Sequence, residues 1–383
     1  MTHRVLVTGG AGFIGSHLVD ELLANGYQVR VLDNLCAQVH GPNAILPTYL
    51  DRRAEVVIGD VRDVNIVQHA LQEVDMVVHL AAAVGVGQSM YQLRHYTDVN
   101  NLGTAVLLEE VVKRKISRLV VASSMSIYGE GRYRDAENNP VDEAERSLDD
   151  LRRGNWEPVV RRFGRLAAIA TPEEKTPNLS SVYALSKYDQ ERLCLMVGRA
   201  YGIPTVALRF FNTYGPRQAL GNPYTGVLAI FASRLLNGRP PQLFEDGEQR
   251  RDFVSVYDVA RACRLALTRD GAVGKASNIG SGSSISVAEV AYRLADTLGC
   301  PSIAPEITGK FRVGDIRHCF ADIDRAKALL GYSPLLSLDE GLEQLGHWLR
   351  AERPVDRTEL AHRELETRGL AVGGERERAT AAQ

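Results

Sequence analysis

The stretch Val5-Leu6-Val7-Thr8-Gly9-Gly10-Ala11-Gly12-Phe13-Ile14-Gly15 constrains this chain more than any other. An apolar strand runs into clustered glycines and then into a segment whose Ile14, Leu18, Leu22 and Leu23 share one helical face. Glycine permits the tight strand-to-helix turn and lets backbone N–H groups approach a pyrophosphate at the positive end of the helix. Asp33 closes the second apolar run, eighteen positions after Gly15, where a carboxylate accepts hydrogen bonds from ribose hydroxyls. The same carboxylate repels a 2′-phosphate, and no arginine follows in Asp33-Asn34-Leu35, so the pattern points to NAD rather than NADP.

Apolar runs continue at Glu55 to Gly59, Asp75 to Leu80, Arg118 to Ser124 and Thr205 to Phe210, with helical periodicity between them. One long helix carries Val106, Leu107, Glu110 and Val111 and ends near Arg114. Strand followed by helix, repeated, predicts an α/β fold with a doubly wound parallel sheet. Beyond Phe211 the chain becomes rich in Pro and Gly, as a smaller C-terminal lobe threaded with loops requires. The expected division is a dinucleotide-binding domain over 1–212 and a substrate-binding lobe over 213–350, with 252–280 returning to the first domain. Residues 351–383 read as a disordered tail of charge and alanine.

Forty-five Lys and Arg against 47 Asp and Glu leave a formal charge of −2, so no broad positive field exists for nucleic acid or an anionic membrane. The first apolar run is too short for a secretory signal, and no stretch approaches the ~20 apolar residues of a membrane span. A cytoplasmic protein is expected. Five scattered cysteines show no metal-ligand spacing, so no metal is expected and the thiols read as reduced.

Two further strand ends fit the dinucleotide groove: Gly59-Asp60-Val61, where Asp60 is placed to bond the adenine amino group, and His79-Leu80-Ala81-Ala82. His79 reads as a structural histidine at a crowded strand end. The expected cofactor wall is therefore Gly9, Gly12, Phe13, Ile14, Gly15, Asp33, Asn34, Asp60, Val61, Leu80, Ala81 and Ala82. Tyr183 and Lys187 stand four apart on one helical face, with Ser180 or Ser181 as N-cap. A phenol titrating near 10 is a weak base at neutral pH, and a neighbouring ammonium favours its phenolate. Ser124 ends the fifth strand, where its hydroxyl can hold a substrate alcohol.

These motifs, with Asp98-Val99-Asn100, Arg209-Phe210-Phe211-Asn212-Thr213-Tyr214-Gly215-Pro216-Arg217, Arg251-Asp252-Phe253-Val254 and Gly314-Asp315-Ile316-Arg317, resemble the extended short-chain dehydrogenase/reductase family. The likeness is to its NAD-dependent nucleotide-sugar epimerases and dehydratases, and it runs from Val5 to about Trp348. It implies a Rossmann domain, Ser124, Tyr183 and Lys187 as the catalytic trio, and Asn100, Tyr183 and Lys187 at the cofactor. It also implies Asn212, Arg251 and Arg317 on a nucleotide diphosphate, with Ser126 and Arg217 at the substrate. Guanidinium forks and amide donors suit such a dianion.

The family's 4,6-dehydratases carry Asp-Glu where this chain has Met125-Ser126, its decarboxylases a glutamate at that position, and its 4-epimerases a small hydroxyl residue. The resemblance therefore implies 4-epimerisation through a transient 4-keto sugar. Within the family, Ser181-Val182-Tyr183-Ala184-Leu185-Ser186-Lys187 is similar to the dTDP-L-rhamnose 4-epimerase type. Alternatives are a 2-epimerase, a 4-ketoreductase, a 4,6-dehydratase, or a non-catalytic dinucleotide sensor, the last opposed by the presence of Tyr183 and Lys187. Tyr183 lies 59 positions beyond Ser124 (183 − 124), which implies an insertion over the active site at about 144–169, with Arg152, Arg153, Arg161, Arg162 and Arg165 around Trp156. It reads equally as a lid or as a surface excursion. Long helices around Tyr96 to Arg114 and Ser181 to Tyr201 pair as a homodimer in similar proteins.

Overall fold

The computed structural model describes residues 3–373 except positions 161, 223, 225 and 355. Arg161, Pro223 and the last ten positions of the expected tail lie outside the described residues.

Seven parallel strands form the central sheet: β1 (Arg4–Thr8), β2 (Gln28–Asp33), β3 (Glu55–Ile58), β4 (Met76–His79), β5 (Arg118–Ser124), β6 (Thr205–Phe210) and β7 (Ala276–Ile279). Their spatial order is β7-β6-β5-β4-β1-β2-β3, so the winding reverses between β1 and β4. Ligands of open parallel sheets bind outside the strand carboxyl ends at such a reversal. β7 pairs with β6 at the sheet edge, which returns the chain from the lobe to the first domain. Both sheet faces are buried because successive side chains point opposite ways. Val5 and Val7 pack with Leu18, Val31 and Val259 on one side; Leu6 packs with Leu32, Leu107 and Val121 on the other.

Helix α1 (Phe13–Ala24) covers the first face, and α2 (Val64–Ala70), α3 (Gly103–Val111) and α4 (Val182–Tyr201) cover the second. Ser181 caps α4 by accepting from the Ala184 amide at 3.1 Å, and Gly202 ends it with φ of 68°. The long helix expected through Tyr96 to Arg114 runs without interruption from Leu93 to Val111, and its middle, Thr97–Leu102, widens into π-type turns before α3 begins. That bulge is where Asn100 sits.

The lobe packs α5 (Val227–Leu236), α7 (Val287–Thr297) and α8 (Leu338–Leu349) around Phe231, Leu294 and Leu345, while α6 (Val256–Ala266) belongs to the sheet and is tied to α1 by Arg264 and Glu21. The tail differs from expectation. Residues Thr358–Thr367 form helix α9, and Ala371–Gly373 pairs antiparallel with Lys310–Arg312. Composition misled there because only two apolar side chains, Ala361 and Leu365, anchor the helix; Leu365 lies over Gly87, and Glu364 accepts from the Tyr91 hydroxyl at 2.8 Å.

The expected insertion packs beside a small sheet and away from the cleft. Arg132–Arg134, Pro140–Val141 and Ala167–Ile169 form a small sheet over a core of Tyr133, Val141, Ala144 and Leu166. It docks through ions: Glu157 holds Arg317 at 2.7 Å and His318 at 3.0 Å, while Arg146 holds Glu130 at 3.0 Å and Glu245 at 2.6 Å. Among the described residues no helix is long and apolar enough to cross a membrane, and no group of His, Cys, Asp and Glu is arranged to hold a metal.

Two buried histidines join these layers. His17 on α1 meets the Pro216 carbonyl at 3.0 Å, and His79 on β4 bridges Thr8 and Thr104 at 2.7 and 3.0 Å. Burial pushes His17 down to about 4 and His79 to about 3. The unfolded chain, titrating near 6.5, therefore takes up protons first as pH falls. Their contribution is complete above about pH 6.5 and declines by up to about 1.4 kcal/mol per pH unit per histidine below it. Urea unfolding at descending pH is expected to show that decline, and a profile flat down to about pH 5 contradicts neutral burial of these rings.

Candidate active site

The sheet's carboxyl edge opens into one long cleft, and its near end is built by the first turn of the chain. Gly9 turns with φ of +71°, and a Cβ on Gly15 would lie 2.1 Å from the Gly9 carbonyl oxygen. A Cβ on Gly12 would meet nothing closer than 3.4 Å, so this glycine faces open space. No side chain caps α1 at Gly12, which leaves the first-turn N–H groups for an anion. This cradle fits a pyrophosphate.

Asp33 stands beyond it, its carboxylate held by the amides of Ala11 at 3.0 Å and Leu35 at 2.9 Å. Asp60 accepts from Asn34 at 3.1 Å, and its bond to Arg62 holds its carboxyl down at about 2. Phe13, Ile14, Val61, Leu80, Ala81 and Ala82 complete this wall together with Gly9, Gly12 and Gly15. A dinucleotide with its ribose diol at Asp33 matches this donor and acceptor set.

At the far end Ser124, Tyr183 and Lys187 line the same cleft. α4 carries the tyrosine and lysine one turn apart, and the Tyr183 amide donates to Ser89 Oγ at 3.0 Å. Burial raises the Tyr183 phenol and the adjacent Ser124 hydroxyl opposes the rise, while burial lowers Lys187 to about 8. Ser126 does not line the cleft; its hydroxyl donates to Ser124 Oγ at 2.9 Å and orients it. Asn100 likewise acts from behind, bonding the backbone of Ala83 at 2.7 and 3.0 Å and Ser186 Oγ at 2.8 Å.

The substrate residues divide. Asn212 lines the cleft, and its Oδ1 is buried without a partner. The three arginines are not brought there. Arg217 pairs with Asp20 at 2.7 Å, and Arg251 donates to the carbonyls of Ile316 at 2.5 Å and Arg317 at 2.9 Å. Arg317 is 1% exposed and is held by Glu157, Glu245 and Asp246. No residue of the insertion lines the cleft among the described residues, so the expected position over the active site is replaced by this ionic dock.

Sequence reasoning missed the amides. Gln38 donates to Gln88 at 3.0 Å and to Asn222 at 3.2 Å, tying three remote segments across the cleft. Nothing in their spacing marks them, because the three meet only through the fold. Tyr96 stands against Tyr183 with ring centres 6.4 Å apart and donates to Gln88 at 3.1 Å.

The family model described as the NAD dependent epimerase/dehydratase family matches residues 5–147 and 162–280. The chain is 35% identical to the dTDP-L-rhamnose 4-epimerase of Burkholderia thailandensis, over 91% of this chain and 95% of that one. Among solved structures it is similar to a UDP-glucose 4-epimerase with UDP-glucose from Thermotoga maritima, at TM-score 0.73, 31% identity, and coverage of 91% and 98%. It is similar also to a UDP-glucuronic acid 4-epimerase from Bacillus cereus in complex with UDP-glucuronic acid and NAD, at TM-score 0.74, 29% identity, and coverage of 91% and 99%.

Gly15→Ala is expected to strip the purified protein of dinucleotide, since the added methyl must displace the Gly9 carbonyl from the turn. Released nucleotide quantified after denaturation checks this; full occupancy in the variant contradicts the assignment of the cradle.

Proposed function

The chain belongs to the NAD dependent epimerase/dehydratase family, and on that premise we propose that it is a nucleotide-sugar 4-epimerase that keeps NAD bound. One observation carries the choice within the family. The only carboxylates lining the cleft among the described residues are Asp33 and Asp60, both at the cradle end. Around Ser124 and Tyr183 stand hydroxyls, amides and one lysine, with no carboxyl group to drive loss of water. This supports a reaction that moves only a hydride and one proton.

In this reading Ser124, oriented by Ser126, holds the sugar C4 oxygen. Tyr183 takes the proton of the 4-hydroxyl and later gives it back, and Lys187 favours the phenolate that does so. Bound NAD supplies the hydride acceptor at the start and the donor at the end. The 4-keto sugar turns over between the two transfers, and net redox is zero.

Val84, Val227, Leu228 and Phe253 also line the cleft, and Lys187 is the only lysine or arginine on it among the described residues. Apolar surface there favours a 6-deoxyhexose over a uronic acid, consistent with the likeness to the dTDP-L-rhamnose 4-epimerase. The uncapped first turn of α5, behind Gly226, and the Asn212 amide are the groups that meet the diphosphate. Leu102, Leu185 and Met196, each more than half exposed on the outer helices, support a homodimer joined through that face.

Incubation of NAD-loaded protein with dTDP- and UDP-hexoses, without added reductant, is expected to give the C4 epimer, best with a dTDP-6-deoxyhexose. A need for one NADH per product contradicts epimerisation. Tyr183→Phe is expected to keep NAD and lose roughly 10²–10⁴-fold in kcat. Unchanged turnover removes Tyr183 from the mechanism.

A further inference from the structure

Lys187 is 3% exposed and, among the described residues, pairs with no carboxylate. Its ammonium donates instead to the Gln190 side-chain carbonyl at 2.6 Å. An ammonium offers only hydrogens, so the Gln190 oxygen must face it and the amide nitrogen must turn the other way. There that nitrogen donates to Thr104 Oγ1 at 2.8 Å. Thr104 spends its own proton on the Asn100 carbonyl at 2.5 Å, which leaves its oxygen free to accept. Thr8 Oγ1 accepts from the Ala81 amide at 3.2 Å and gives its own proton to His79 Nδ1 at 2.7 Å, so His79 carries its proton on Nε2 and donates to Thr104 Oγ1 at 3.0 Å. Every member of the chain is satisfied in this arrangement, and Gln190, Thr104 and His79 are all at most 1% exposed.

We propose that Gln190 is a positioning residue that, anchored by Thr104, which His79 holds in turn, keeps the Lys187 ammonium in place with a neutral oxygen and so leaves its charge uncancelled for Tyr183. The groups around Lys187 agree with that purpose. From β4, His79 is kept neutral by burial; from α4, the Cys194 thiol is pushed up to about 12 and stays protonated. The Glu191 carboxylate is taken by Arg209 at 2.7 and 2.9 Å, and Asp189 by Asn101. One of three ammonium hydrogens is spent on Gln190, leaving two to donate into the cleft. A carboxylate at this position would anchor the lysine more strongly but would neutralise it.

The inference rests on the reading of Lys187 as a catalytic group, yet its test needs no substrate. Tyrosinate formation by Tyr183 is followed by ultraviolet difference absorbance on NAD-loaded protein, with Tyr183→Phe as the blank. Gln190→Glu is expected to raise the Tyr183 midpoint by about one pH unit and to move the acid limb of turnover with it. Thr104→Val is expected to lower kcat about tenfold with NAD affinity, measured by calorimetry, changed less than about threefold, and Thr104→Ser to restore it. A midpoint unmoved in folded Gln190→Glu, or a Thr104→Val defect that Thr104→Ser does not repair, overturns the proposal. Should no nucleotide sugar turn over, the Tyr183 midpoint is still read, so failure of the epimerase reading is distinguishable from failure of this one.

Discussion

The 2.1 Å clearance that a methyl on residue 15 would have from the Gly9 carbonyl decides where the rest of the cleft lies. Because that position is bare, α1 starts directly over the end of β1 and points its unpaired first-turn amides along the reversal between β1 and β4. α1 is then held against α6 and, through His17, against the loop after β6. The cradle, the Asp33 carboxylate and the catalytic end of β5 thereby fall on one edge of one sheet. The pyrophosphate end and the chemical end are fixed relative to each other by strand register rather than by loops.

Charge is distributed unevenly around that edge. Among the described residues the cradle end has two carboxylates and the catalytic end has none, while Arg217 and Arg317 are tied up elsewhere. Arg317 shows how completely: three carboxylates from two segments surround one guanidinium, and removing any of them would leave a buried charge short of a partner. The insertion thus acts as a structural clamp on the Gly314 to Arg317 segment. Lys187 is the opposite case, a buried cation met by a neutral amide.

Much of this was legible in the sequence. Six of the seven central strands follow from unbroken apolar runs, because strands buried on both faces need no polar alternation. Ser181 as the cap of α4, and the cradle glycines, follow from local backbone chemistry that any chain must obey. β7 was missed as a strand because Ala276-Ser277-Asn278-Ile279 carries polar residues, buried here by Glu173 and Thr171 from a remote segment. The π-type turns at Thr97–Leu102, the fold of the tail and the docking of the insertion away from the cleft have the same origin. Each depends on partners far away in sequence: Ala83 and Ser186 for Asn100, Gly87 for Leu365, Arg317 for Glu157. The family resemblance implied arginines on a diphosphate; only the packing shows their partners.

The central claim is that one hydride leaves and rejoins the same sugar carbon without meeting solvent. A nucleotide hexose carrying deuterium at C4, converted by the NAD-loaded protein in ordinary water, measures this directly by mass and proton resonance of the product. The account predicts that the label stays at C4 of the epimer. Loss of the label to solvent, or its appearance at another carbon, would contradict it.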